Sequence, residues 1–227
     1  RLAHDALAGA VPATTRGDVG VVTSAGRMVR LPVVDTPALP PTSGAPGLSG
    51  GVALADLVDT AAGETLVALA DLRPDAAPLA LATAGGVIKR VVPDHPGSKD
   101  SWDLISLQDG DRVVGAAHAA DDDVLVLVSS DAHLLRFGAG AVRAQGRTGQ
   151  GVAGIRLGDG AAVRALGVVP AHDVAGAVVV TVTGTTGALP GTVAGTAKVT
   201  PLDRYPVKGR ATAGVRAHRF LRGEDEL

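Results

Sequence analysis

Cysteine is absent, and aromatic side chains make up only 2% of the chain. The first absence excludes disulfides and thiolate metal centres. The second argues against a platform on which unpaired bases stack. Asparagine is also missing and arginine greatly outnumbers lysine, a bias we attribute to GC-rich coding. No apolar run is long enough to cross a membrane as a helix, and no basic-then-apolar leader opens the sequence, so we expect a cytoplasmic protein with no membrane partner. No segment sustains a helical period, because glycine and proline interrupt every candidate. With hydrophobic residues at 46% the core must be filled by alanine, valine and leucine.

What the sequence does contain is one pattern used four times. Gly146-Arg147-Thr148-Gly149-Gln150-Gly151-Val152 is followed five residues later by Leu157, and Gly209-Arg210-Ala211-Thr212-Ala213-Gly214-Val215 at the same distance by Phe220. Val52 and Leu57 keep that step, as do Trp102 and Leu107, and Gly110, Gly160 and Gly223 each stand three residues further on. Self-similarity on this scale belongs to solenoids, arrays and propellers.

Within each copy the short β-branched runs and glycine turns predict hairpins. These are Val19–Thr23 with Met28–Leu31, Leu79–Thr83 with Val87–Val92, Val124–Ser129 with Leu134–Phe137, and Ala177–Thr183 resuming at Lys198-Val199 after a wide glycine-rich connection from Gly184 to Gly195. A further strand is expected to end at Leu57, Leu107, Leu157 or Phe220, and a last one to span Thr65–Leu69, Arg112–Gly115 and Val163–Val169. That makes about four strands per copy, in units 19–70, 79–119, 124–169 and 177–227 of one all-β domain, 1–227. Pro37 to Gly51 reads as a surface loop. The sequence opens at Arg1 and stops in mid-pattern, from which we expect a piece of a longer protein.

The formal charge is −2, yet it is unevenly spread. Between Lys198 and Arg222, seven cations (Lys198, Arg204, Lys208, Arg210, Arg216, Arg219 and Arg222) face the single acid Asp203, a local excess of +6. Such asymmetry suits a local anion-binding face on an acidic body.

The third copy, Leu134-Leu135-Arg136-Phe137 through Gln145–Val152 to Ile155-Arg156-Leu157-Gly158-Asp159-Gly160, closely resembles a blade of the C-terminal domain of bacterial type IIA topoisomerase A subunits, the family of DNA gyrase and topoisomerase IV. The other copies fit more loosely, so the resemblance covers nearly the whole chain. It implies a β-pinwheel of about four or more blades that exchange strands, with duplex DNA bent around a basic rim. It also implies a parent enzyme that uses ATP and magnesium through other regions. The implied partners are an ATPase B-type subunit on the nucleoid, together with the N-terminal cleavage core of the same subunit. The gyrase hallmark is a box, Gln-Arg-Arg-Gly-Gly-Lys-Gly. Gln145 to Gly151 departs from it at Gly146, Thr148 and Gln150; Lys208 to Gly214 is more degenerate, and Ala45 to Gly51 has lost its cations. In this family an intact box goes with tight wrapping, so its absence here implies a topoisomerase IV-like role in relaxation and decatenation, with gyrase-like supercoiling as the alternative.

Bending a duplex without reading sequence requires cations on a curved surface, because each neutralised phosphate releases counterions and arginine grips phosphate with a bidentate fork. The box-like segments and basic window nominate Arg143, Arg147, Lys208, Arg210, Arg216 and Arg219 first. The hairpin return strands nominate Lys89, Arg90, Arg27, Arg30 and Arg136, and Lys198 and Arg204 complete the set. His218 stands where it would add charge near DNA at lower pH. Trp102 occupies an apolar repeat position and reads as core, and the lone Tyr205 is expected to pack in its linker. Gly149–Gly154 spells a dinucleotide motif without the strand and helix it needs, Arg16-Gly17-Asp18 is an adhesion tripeptide by spelling alone, and Asp121-Asp122-Asp123 reads as a solvated turn. No acid, base, nucleophile or metal set converges, so catalysis is not expected of this segment and no cofactor is expected in it. A non-enzymatic propeller scaffold for proteins is the remaining alternative; the tryptophan–aspartate repeat signature that would favour it is missing.

Overall fold

The computed structural model describes residues 9–38, 51–185 and 195–227, and regular structure among them consists of β-strands and single-turn 3-10 helices. The first hairpin pairs β1 (Asp18–Thr23) with β2 (Arg27–Pro32), and β3 (Leu66–Asp71) returns to the other edge of β1. The second joins β4 (Leu79–Thr83) and β5 (Val87–Val91). Then β6 (Ser101–Asp103) leaves to pair with β2 of the preceding blade, and β7 (Val113–His118) comes back to β4.

The third blade repeats the scheme. It holds β8 (Val124–Ser129) and β9 (His133–Gly138), while β10 (Ala144–Gln145) and β11 (Val152–Ala153) cross to β5 and β12 (Val163–Val169) pairs with β8. The fourth hairpin joins β13 (Val178–Val182) to β14 (Ala197–Pro201), and β15 (Val215–Arg216) crosses back to β9. The result is an all-β, propeller-like pinwheel whose blades exchange their outer strands.

The expected hairpins all form, the third turning at Ala132 with φ 61° where its counterparts turn at Gly26 and Gly86. The strand expected to run to Leu107, Leu157 and Phe220 is shorter than the sequence suggested, ending at Asp103, Ala153 and Arg216. Around Leu57 the chain makes a 3-10 turn, Leu54–Asp56. The strands end there because their partners do. Leu104, Gly154 and Ala217 each donate to the carbonyl of the hairpin-turn residue (Gly26, Gly86, Ala132), beyond which no strand remains to pair with. Most of the Gly184–Gly195 connection and of the Pro37–Gly51 loop lies outside the described residues.

Central strands are buried on both faces, and side-chain period two sends alternate residues to opposite neighbours. Leu79 and Leu81 join Val22, Met28 and Trp102 in the core between the first two blades. Ala80 and Ala82 face the other way, where the larger Leu125, Leu127 and Phe137 of the third blade fill the space they leave. Val126 and Leu134 then meet Leu202, Tyr205 and Ala217 of the fourth. Small against large is what close packing demands of stacked sheets. Trp102 and Tyr205 are core residues, each 5% exposed.

Candidate nucleic-acid interface

Three pairings fix which residues of successive blades correspond: Met28 with Trp102, Ile88 with Val152, and Leu134 with Val215. Positions counted from Trp102, Val152 and Val215 are therefore equivalent in register from blade to blade. Arg147 and Arg210 stand five residues before, and Arg156 and Arg219 four residues after, their respective valines. The segments that carry them sit on the outer edge of the sheet, because the chain has crossed to the preceding blade there.

In the first of these edges, Arg27, Lys99 and Arg147 line one cleft of about 310 Å³ together with Asp103 and the hydroxyls of Ser101, Ser106 and Thr148. The cleft combines the edge of one blade with the glycine-rich loop of the next. A second cleft of about 310 Å³ lies at the third blade, lined by His133, Arg216, Arg219, His218, Asp131 and Phe220. Register makes the two equivalent: His133 takes the place of Arg27, Arg216 that of Asp103, and Arg219 that of Ser106. Between them, Arg210 reaches back to the Ala153 carbonyl at 3.3 Å. Cations thus stand at three successive blade edges, although different positions supply the charge.

The nominated residues divide into three groups. Arg143, Arg204, Arg216 and Arg219 are exposed, and their side chains make no hydrogen bond or ion pair among the described residues; the same holds for the partly exposed Arg147. Lys208 is exposed and only loosely tied, to the Gly214 carbonyl at 3.4 Å, whereas Lys198, also exposed, donates to the Ala217 carbonyl at 2.7 Å. Arg27 and Arg30 are committed to neighbours. Arg27 grips Glu64 through Nε and a terminal nitrogen, which raises its own pKa and holds the carboxyl of Glu64 down at about 2. Arg30 binds Asp18 and the carbonyls of Pro96 and Lys99, with its guanidinium 5.2 Å from the centre of the Trp102 ring.

The third group is internal, contrary to the expectation for the return strands. Lys89 and Arg90 are each 1% exposed and Arg136 is 8% exposed. Arg90 donates to the carbonyls of Ala139, Val142 and Ala119 and pairs with Asp121. Lys89 directs its ammonium at three carbonyls. The return strand lies between two others in its sheet and packs on both faces, so a side chain pointing off it meets protein. His218 is also internal, 7% exposed, at the position that Ile105 and Ile155 hold in other copies, and the hydroxyls of Thr181 and Thr196 meet its two ring nitrogens.

Lys99 and Arg156, both exposed, were missed by the sequence reading. Counting from the shared apolar residue finds them: Arg156 and Arg219 each precede the Leu157 or Phe220 of their copy, and Lys99 lies in the counterpart of the Gly146–Gly151 loop. Among the described residues no group of acids and histidines is placed to hold a metal, and no helix is long and apolar enough to cross a membrane.

Residues 123–170 and 191–227 match the family model described as the DNA gyrase C-terminal domain, beta-propeller. The A subunit of DNA gyrase from Deinococcus deserti is 36% identical over 138 residues, 59% of this chain and 16% of that protein. The A subunit of DNA gyrase from Mycobacterium tuberculosis is 31% identical over 199 residues, 85% of this chain and 22% of that protein. The chain thus spans less than a quarter of the length of these relatives. In fold it is similar to the C-terminal domain of DNA topoisomerase IV, with a TM-score of 0.72 at 19% identity over 93% of this chain and 62% of that one. It also resembles the E. coli ParC C-terminal domain, with a TM-score of 0.63 at 16% identity over 91% of this chain and 78% of the other. The chain belongs to the DNA gyrase A C-terminal β-propeller family, the C-terminal domains of type IIA topoisomerase A subunits.

Proposed function

We propose that this domain binds duplex DNA without reading its sequence and bends it along the basic band, in the manner of topoisomerase IV. It captures a DNA segment and presents it to the N-terminal cleavage core of the same subunit for relaxation and decatenation. ATP and magnesium act elsewhere in the parent enzyme, through the cleavage core and an ATPase B-type subunit. The supporting observation is the recurrence of exposed cations at equivalent blade edges, with Lys99 and Arg147 at the first, Arg156 and Arg210 at the second, and Arg216 and Arg219 at the third. Smoothly bending a short duplex costs on the order of 1–6 kcal/mol, so several phosphate contacts must act together. Arginines with unused donors in a row, on turns rather than in a concave apolar pocket, suit phosphate better than base edges.

Six such contacts give log affinity a slope of about −5 against log salt, and each contributes roughly 8-fold at 0.1 M salt. Reversing Arg147, Arg210 and Arg216 to glutamate together should therefore weaken duplex binding by at least 10-fold, and by as much as about 500-fold if all three contacts are lost outright. A gel-shift titration over several salt concentrations reads both quantities. Unchanged retention, or a slope that stays near its original value, refutes the proposal. Gyrase-like wrapping is the second reading, favoured by the gyrase names of the relatives at 31% to 36% identity. A supercoiling assay on the full-length enzyme with and without this domain separates the two.

A further inference from the structure

Lys89 is the most unusual ionisable residue in the fold. The equivalent positions in the first and third blades are Val29 and Leu135, so the sheet itself has no need of a cation there. Burying an ammonium is costly unless its donors are satisfied. Here all three are: Nζ donates to the carbonyls of Leu104 at 2.8 Å, Arg147 at 2.7 Å and Gly149 at 2.7 Å. Two of those acceptors lie in the loop that carries Arg147 into the first cleft, and the third follows directly on β6, which forms the cleft's other wall. The loop has few other attachments of its own. Gln145 accepts from Val92, Gly149 accepts a bond from Ser106, and Thr148 accepts the Ser106 hydroxyl.

The corresponding loop of the first blade is also held from beneath, by Arg30 on the carbonyls of Pro96 and Lys99, whereas Arg136 makes no such bond to the loop of the third blade. From this geometry we infer that Lys89 is a positioning residue for the proposed DNA interface: it clamps the Gly146–Gly151 loop to the blade beneath and so presents Arg147 to phosphate. This inference rests on the DNA-binding reading for its consequence, but the clamp itself is testable without DNA. A loop fixed in its bound form avoids the ordering cost that binding would otherwise carry.

The clamp has a chemical signature. Burial alone pushes the Lys89 ammonium down to about 8. The charged groups on the elements around it are Arg147 on the loop, Asp103 on β6 and Arg90 on its own strand, the last turned to other carbonyls; the facing stretch of β4 carries none. Above that pH the amine keeps two N–H donors and aims a lone pair at the third carbonyl. The loop then loses an anchor, and duplex affinity at constant salt falls.

Lys89→Leu is the decisive variant, since the third blade accepts leucine at this position. Amide hydrogen exchange should accelerate at least 10-fold across residues 146–151 while β8 and β9 keep their protection. Unchanged loop exchange overturns the clamp whatever the DNA result. In the intact domain, K89L should weaken duplex binding by about the 8-fold expected of Arg147→Ala, and the double variant should be little weaker than either. K89L should also abolish the loss of affinity between pH 7 and 9. Additive losses, or a K89L protein that binds duplex as tightly as the wild type while R147A does not, overturn the positioning role and leave the DNA-binding reading standing. Absence of duplex binding by the wild type instead sinks that reading, and with it the role assigned to the clamp.

Discussion

Replacing the buried arginines Arg90 and Arg136 with methionine separates an internal role from a surface one. Both occupy the same position on successive return strands, and both were expected from sequence to face DNA. Among the described residues Arg90 is the only donor to the carbonyls of Val142 and Ala119, themselves in residues 2% and 0% exposed, and it shares the Ala139 carbonyl with the amide of Val142. Methionine fills similar volume but donates nothing. Two buried carbonyls are stranded at about 1–3 kcal/mol each. Part of that is offset because a guanidinium no longer has to be desolvated. The net expectation for Arg90→Met is a loss of about 3 kcal/mol. At roughly 2–4 °C per kcal/mol for a chain of this size, Tm falls by about 6–12 °C. Arg136 has no side-chain hydrogen bond among the described residues, and its Nε is buried without a partner. Arg136→Met should therefore change stability by less than about 1 kcal/mol, and in the stabilising direction if anything. Thermal and urea unfolding followed by circular dichroism measure both. If R90M lies within about 1 kcal/mol of the wild type, or if R136M is as damaging as R90M, the carbonyl-bonding account is wrong.

Glu64, whose side chain is 2% exposed and bonded to Arg27, Thr23 and the Ala61 amide, has its pKa lowered from 4.5 to about 2. A depressed carboxylate stabilises the fold above its unfolded value and loses that contribution as pH falls from about 4.5 to 2, up to about 3 kcal/mol. Glu64→Gln should remove it at pH 7 and flatten the acid limb of a stability profile; an unchanged limb counts against the ion pair. Gly214 has φ +72°, and a Cβ there would sit 2.3 Å from the Leu134 carbonyl, whereas one on Gly209 would meet nothing within 4 Å. Gly214→Ala should cost more than about 2 kcal/mol, from the left-handed backbone plus displacement of β15 from β9, with Gly209→Ala as the near-neutral control in the same unfolding assay.

How much was legible varies with the range of the interaction involved. Hairpins such as Val19–Leu31 and Leu79–Val91 could be read because period-two burial and turn residues are local, and the recurrent step from Val152 to Leu157 exposed the repeat. The same step misplaced the strand boundary. Leu157 keeps its spacing because it packs near the turn at Gly86, not because it belongs to a ladder. Charge counting found the basic window from Lys198 to Arg222, yet nothing local showed that Arg219 is exposed while Arg90, on its return strand, is buried.

The alternation and the fourfold pattern in the amino-acid order were thus sufficient to determine an all-β, propeller-like repeat, whereas the exchange of strands between blades was implied by the family resemblance and is seen in the pairings of β6, β11 and β15. Which cations face solvent was decided only in three dimensions. A return strand pairs on both edges and packs on both faces, so its arginines meet protein, as Arg90 meets carbonyls and Arg27 meets Glu64, while a segment that crosses to the neighbouring blade becomes the outer edge and leaves its arginines in water. Pairing between blades sets that distinction, and no local window of sequence contains both partners.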